Sequence, residues 1–437
     1  MSLDANSPTP PSGPRWLGWL DRAAPWAVVL VPVFLVHGRL IADALMALVG
    51  LAWAVRVMVL RDFAALRRPW LVIGLLWWAW VVACSVPLPG RGGVMPLLEA
   101  VVMLRYLLFL AAAESWALAP LAARRGLRAT LSLALLYIGL QAATQFFTGK
   151  NWFGHGRWPD GELTGPYDKP RAGGQVEMLF YPVLLPPVAR LLGRDNPWPL
   201  RLAGAALGLL GLALIVLIGQ RMPFTLTFFG LFVTAIFLRP LRPYLAAGAL
   251  AAVVLVGASS VISPPTFYRL VTKYSHQLSD FRESPYGVIF ARARAMVMAH
   301  PVMGLGHDGF RNYCGDPAYF HGWRWPKDPT DDGGGPAGCQ QHPHNIYLEA
   351  AVNGGLVGLG LFAAMAVAWL VTLGRGLWRE PDPLRVGLFV MAVLFLWPVA
   401  STSSFSAMPL SGFFFVQLGL GLAEARLWRE GRRSTMG

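Results

Sequence analysis

The sequence predicts an all-α polytopic membrane protein. Apolar runs of bilayer length recur from one end of the chain to the other. Of the 437 residues, 55% are hydrophobic and only 14% are charged, against about 25% charged in soluble domains. The basic residues cluster between the apolar runs rather than on one continuous stretch. A disordered chain is excluded by the aliphatic and aromatic content. With 37 Lys+Arg against 23 Asp+Glu, the net charge is +14 and the pI about 10.2. Because of where those charges sit, nucleic acid is not an expected partner.

Twelve candidate spans are expected: 24–37, 40–60, 70–87, 94–118, 128–148, 173–193, 201–219, 222–238, 243–262, 344–373, 384–400 and 404–427. Each is near the ~20 apolar residues that cross a bilayer. Residues 1–23 are expected to form a disordered cytoplasmic tail, rich in Ser and Pro over 7–14. They lack the apolar core and small-residue cleavage site of a signal peptide. The run 201–238 divides at Arg221-Met222-Pro223, because Pro disfavours helix continuation. The spans make one transmembrane domain over 24–427, followed by a short cytoplasmic tail, 428–437.

Positive charge orients membrane helices. With both termini cytoplasmic, the inner segments hold Arg61, Arg67, Arg68, Arg124, Arg125, Arg128, Arg190, Arg194, Arg201, Arg239, Arg242, Arg375, Arg379 and Arg385, and the inner ends hold Arg15, Arg22, Arg426, Arg429, Arg432 and Arg433. The short outer loops hold only Arg39, Arg91 and Arg221. Two outer segments are longer, 149–172 and 263–343, and they contain Lys150, Lys169, Lys273 and Lys327. The chemistry is expected there. Cys314 and Cys339 both fall in the longer outer segment, where an oxidising compartment would favour a disulfide between them. Cys84 reads as inert packing in an apolar helix.

Among polar residues inside the spans, Glu99 lies near an outer end, and Arg105 is expected to have a structural partner. Asp43 and Arg56 read as interfacial. Arg221, held in a tight outer turn, could clamp a phosphate with planar, bidentate hydrogen bonds. The densest motif is Gln341-His342-Pro343-His344-Asn345-Ile346-Tyr347-Leu348-Glu349. It follows Asp331-Asp332-Gly333-Gly334-Gly335-Pro336, expected to be flexible. Pro343 is expected where the helix starts, with His344 or Asn345 at the helix N-terminus; the positive dipole end there disfavours imidazolium, and a neutral imidazole suits general-base work. His342-Pro343-His344 lacks the third and fourth ligands of a zinc site, and no metal is expected. Two further pieces are turns: His300-Pro301-Val302-Met303-Gly304-Leu305-Gly306, and 163–174, which includes Gly165, Lys169, Pro170, Arg171 and Gly174.

Taken together, these pieces resemble the O-antigen ligase/polymerase superfamily of bacterial envelope proteins. The resemblance rests on the outer Arg221, the His300–Gly306 turn, the loop Gly165–Gly174 and the His344–Gly358 motif. The chain departs from the pattern at Lys169-Pro170-Arg171 and in the placement of Arg292 and Arg294. The resemblance implies a GT-C-like glycosyltransferase of the bacterial inner membrane with a periplasmic active site and no cofactor or metal. The implied donor is a glycan on undecaprenyl pyrophosphate, and for a ligase the acceptor is lipid A–core. His344 and Arg221 are the expected catalytic pair. Arg171, Arg292, Arg294, His342, Tyr347 and Glu349 are expected around the substrates, and membrane lipids surround the helices. The Arg221 turn and the single long outer segment resemble a ligase more than a polymerase joining lipid-linked repeat units. A lipid-linked glycan transporter is the alternative from another class.

Overall fold

The computed structural model describes residues 14–400 and 404–436. Every regular element among them is helical. In chain order these are α1 (Leu17–His37), α2 (Arg39–Leu60), α3 (Pro69–Ser85), α4 (Val94–Val102), α5 (Leu104–Ala112), α6 (Leu121–Thr148), α7 (Ala172–Leu179), α8 (Leu185–Leu191), α9 (Trp198–Ile218), α10 (Arg221–Phe237), α11 (Arg242–Ile262), α12 (Pro264–Phe267), α13 (Tyr274–Ser279), α14 (Pro285–Ala299), α15 (Gly309–Tyr313), α16 (Ile346–Gly374), α17 (Pro383–Phe395) and α18 (Leu410–Met436).

Eight helices are long and apolar enough to cross a bilayer, so the protein is a multi-pass membrane protein. They are α1, α2, the continuous α4–α5 unit, α6, α9, α11 with its preceding turn, α16 and α18. Three other expected spans, α3, α10 and α17, are shorter apolar helices. At 17 residues, α10 rises about 25 Å, just under the hydrocarbon thickness of about 30 Å. The expected span 173–193 is divided into α7 and α8 by a wide π-helical turn, Phe180–Leu184, that contains Pro182. Pro cannot supply the amide that a regular turn needs there.

Several boundaries differ from expectation. Leu17–Ala23 belongs to α1 rather than to a tail, and residues 1–13 lie outside the described part. Although 428–437 was expected to be a tail, α18 continues to Met436. An Arg426–Glu430 pair one turn apart supports that extension, as does Trp428, whose Nε1 donates to Glu380 at 2.6 Å.

Large apolar side chains such as Leu40, Phe147, Phe232 and Val261 face outward, as lipid contact requires. Several charges inside the bundle are paired. Arg105 donates to Asp43 at 2.8 Å, which gives Arg105 its structural partner, and Arg124 lies 3.0 Å from Glu424. Buried Glu114 accepts from Trp70 at 2.9 Å, with Arg68 and Arg429 within 3.7 Å and 3.6 Å.

The long outer segment has a small core of its own: Ile289, Ala293, Met296, Leu305, Phe310, Cys314 and Tyr319 pack with Val352 of α16. The His300–Gly306 turn is keyed into a break in α16. Gly355 has φ 63° there, and a Cβ on it would stand 2.2 Å from the Val302 carbonyl. The carbonyls freed by the break are used. Val352 accepts from Leu305 at 2.8 Å, Asn353 from Gly306 at 3.0 Å, and Gly354 from Trp80 at 2.8 Å. This satisfies the accounting that buried backbone imposes. The turn that the sequence marks by two glycines is therefore an anchor for the outer segment.

Candidate active site

The ends of α7, α10, α17 and α18 meet the two longer outer segments around a cavity of about 850 Å³. That size suits a sizeable organic ligand. Its wall carries Arg171, Arg221, Arg269, His342 and His344, with Glu162, Gln175 and Glu177. The remainder is largely apolar: Met222, Leu226, Phe229, Leu394, Phe395, Trp397, Val399 and Leu410.

Arg221 is the first residue of α10, after Gln220 in extended conformation. Gln220 is itself pinned, donating to the Pro170 carbonyl at 2.6 Å. A Cβ on Gly173 would meet the Gln220 side chain at 2.2 Å, so a glycine there lets α7 approach the Arg221 turn. The Arg221 guanidinium donates to Oε1 of Gln277. Among the described residues it forms no ion pair, so its charge is not neutralised by a carboxylate. Arg269 is different. It donates to Glu162, to Asp160 at 2.7 Å and to the Gly219 carbonyl at 3.1 Å. Lys273 shares Asp160 at 2.7 Å, and these bonds hold the Asp160 carboxyl below its usual range. Burial pushes the Glu162 carboxyl up, with Arg269 pulling the other way. Arg171 stands exposed at the cavity rim, at the start of α7.

The two histidines line the cavity together, with ring centroids 4.3 Å apart. His344 also meets Tyr286 edge-on at 5.7 Å. Of the two residues expected at the helix N-terminus, the structure selects Asn345. Pro343 and His344 precede the helix, and Asn345 is the cap. Its Oδ1 accepts from the amides of Tyr347 at 2.9 Å and Leu348 at 3.1 Å, and its Nδ2 donates to the Pro398 carbonyl at 2.6 Å. Asn wins this position because its side chain satisfies the orphan amides of the first turn, which Pro and His cannot do as well. His344 itself takes a left-handed backbone, φ 52°, unusual for a residue with a side chain. Burial, then neighbouring His344 and Arg311, lower the pKa of His342 to about 4. His342 is therefore a neutral group at neutral pH.

Four expected substrate contacts lie elsewhere. Arg292 is fully buried. It donates to the carbonyls of Cys314 and of Gly335, the latter at 2.7 Å, and lies 4.3 Å over the ring of Phe320. It organises the outer segment instead of reaching the cavity. The glycine-rich stretch 331–336, expected to be flexible, wraps the same side chain. Gly333, Gly334 and Gly335 have φ of 59°, 79° and 52°, and the carbonyls of Gly333 and Gly335 accept from Arg292. Arg294 is exposed on α14 outside the cavity lining. The hydroxyl of Tyr347 donates to the Leu396 carbonyl at 2.8 Å. Glu349 is buried and accepts from Ser404 at 2.5 Å and from the Phe405 amide at 2.9 Å. Both residues tie α16 to its neighbours.

Cys314 and Cys339 form a disulfide with Cα atoms 5.3 Å apart. Among the described residues, spacing compatible with a metal ion occurs at Glu99, His307 and Asp308, whose ligand atoms lie within 4.8 Å of one another. That group is outside the cavity lining. The cavity also contains groups that the sequence reading passed over, Arg269 and Glu177. An ionisable residue inside an apolar span is a signal in itself, and Glu177 carried it.

A search of curated proteins finds no match to this chain. Residues 206–363 match the family model described as O-antigen ligase. That stretch starts within α9, passes through Arg221 and the whole outer segment, and ends inside α16. The Arg221 turn and the His342–His344 pair both lie on the stretch that is similar to the O-antigen ligase family.

Proposed function

We propose that this protein is an O-antigen ligase, moving a glycan from undecaprenyl pyrophosphate to a sugar hydroxyl of lipid A–core at the periplasmic face of the bacterial inner membrane. The match of residues 206–363 to the O-antigen ligase family model supports a ligase- or polymerase-type enzyme of O-antigen assembly, with glycosyltransferase-like chemistry. The observation that carries the finer reading is the cavity. It joins a cation free of carboxylate partners, Arg221, to a histidine pair from the far end of the outer segment, beside an apolar wall suited to a lipid tail. The proposed topology has twelve spans in a GT-C-like arrangement, both termini cytoplasmic. The Cys314–Cys339 disulfide supports an oxidising compartment for the outer segment.

In this scheme the acceptor hydroxyl oxygen attacks the anomeric carbon of the donor. The bond from that carbon to the phosphate oxygen breaks, and undecaprenyl pyrophosphate leaves. Arg221, with Arg171 and Arg269, stabilises the charge that develops on the pyrophosphate, so the scheme needs no metal. His344 takes the hydroxyl proton, with His342 beside it. Inversion at the anomeric carbon follows from a single displacement.

The test is transfer by purified protein in detergent, without a membrane gradient, with lipid A–core and a second lipid-linked donor as competing acceptors. Product on lipid A–core is expected. Product only on the second donor would make the enzyme a polymerase, and absence of transfer with binding retained would favour a transporter. His344→Ala and Arg221→Ala should each abolish or severely reduce transfer. Wild-type rates in either variant would remove that residue from the scheme.

A further inference from the structure

Glu177 has no role in the chemistry above. It is buried, 6% exposed, on α7, and it lines the cavity. Helical periodicity puts Gly174, Glu177 and Met178 on one face, and all three line the same wall. A Cβ on Gly174 would meet only Leu410 methyl groups, at 3.6 Å or more, so space opens in front of that face. The π-helical turn Phe180–Leu184 begins directly after α7, a distortion often found at functional sites.

A purely structural account of Glu177 is weak. Its carboxyl has no ion-pair or hydrogen-bond partner among the described residues. The other carboxylate of the wall, Glu162, is held by Arg269. Glu177 lies in the second turn of α7, beyond the first turn over which a helix dipole acts. An apolar residue of equal size would pack there without the cost of burying an unpaired carboxyl. The carboxyl is an acceptor facing a cavity whose cations, Arg171, Arg221 and Arg269, belong to other parts of the wall. A pyrophosphate would be repelled by a carboxylate, whereas a sugar hydroxyl would donate to it.

We propose that Glu177 forms a sugar-hydroxyl subsite of the cavity, its carboxyl accepting a hydrogen bond from a hydroxyl of the sugar next to the reacting bond. The subsite rests on the reading of the cavity as a glycan-transfer site. The sugar belongs either to the lipid-linked donor or to the acceptor.

The experiment uses the full chain in detergent, as wild type, Glu177→Gln and Glu177→Met, with size-exclusion elution and helical content as folding controls. Methionine fills the volume without the hydrogen bond, so a folded variant is at hand if one substitution is poorly tolerated. Binding is titrated with three probes: undecaprenyl-pyrophosphate-linked glycan, undecaprenyl pyrophosphate without sugar, and lipid A–core. The affinity of one sugar-bearing probe should fall about tenfold in Glu177→Met, the scale of one lost hydrogen bond, and by less in Glu177→Gln, whose amide oxygen still accepts. The sugar-free lipid should bind as in wild type. The probe that weakens identifies the sugar, and its KM in transfer should rise in parallel with little change in kcat. Equal affinities for all three probes, or equal losses for all three, would overturn the subsite. If the wild-type protein transfers nothing while Glu177→Met shows the sugar-dependent loss of binding, the transferase reading is overturned and the subsite stands.

Discussion

The imidazole rings of His342 and His344 lie 4.3 Å apart in the cavity wall, and His344 disfavours protonation of His342. For His342, burial is the larger cause and His344 the next, and together with Arg311 they bring its pKa to about 4 from 6.5. The unfolded chain therefore binds a proton below about pH 6.5 that the folded chain refuses until about pH 4. This contribution to stability is complete above pH 6.5 and is lost progressively as the pH falls toward 4. Thermal unfolding of wild type and His342→Gln between pH 7.5 and 4 should show the wild type losing more of its Tm across that window. Parallel pH profiles would contradict the assignment.

Asn345 fixes the residue on which the proposed chemistry depends. Asn345→Ala removes two hydrogen bonds to the first turn of α16 and one to Pro398. A loss of about 1 kcal/mol of stability is expected from the cap alone. Transfer should fall further than stability accounts for, because His344 directly precedes the cap. Asn345→Asp keeps the acceptor and should recover most of the stability.

Arg292 and Arg221 should separate cleanly. Arg292→Met leaves the Cys314 and Gly335 carbonyls without their donor, and a loss of roughly 2 kcal/mol or more is expected from charged hydrogen bonds of this kind. It should appear as faster proteolysis of 300–340, with substrate binding unchanged in the molecules still folded. Arg221→Lys keeps the charge but loses the planar fork. Its fold stability should be near wild type while transfer falls, by about a hundredfold if the guanidinium stabilises the leaving pyrophosphate.

Transfer is expected to survive exhaustive EDTA treatment. Loss of activity restored by one divalent ion would contradict the arginine-based scheme and direct attention to Glu99, His307 and Asp308.

The helical, membrane-embedded character of this chain was legible in the sequence, because it rests on local properties: apolar length and the absence of charge within a run. So were the special character of 341–349 and a division of 201–238 near Arg221, although the break itself falls at Gly219-Gln220 and Arg221-Met222-Pro223 form the first turn of α10. Helix ends were less legible. Whether Pro343 or Asn345 begins α16 depends on which side chain reaches the orphan amides and on Pro398 lying within reach of Asn345. The division of α7 from α8 followed from Pro182, but its consequence, a carboxyl beside the cavity, did not show.

By itself, then, the sequence determined that apolar helices recur along the chain, that Arg221 and the two histidines sit at span edges, and that Cys314 and Cys339 share one outer segment. Tertiary structure decided which charges meet. Arg292 and Arg269 are equally basic and both lie in the outer segment. One is buried under the backbone of Gly333–Gly335 and the other faces the cavity. The difference lies in which way each helical turn faces once the segment has packed against α16 and α10. That rotation is set by contacts such as Gly355 against Val302 and Gly173 against Gln220, between residues about fifty positions apart in the chain. Spacing along one sequence carries no information about them.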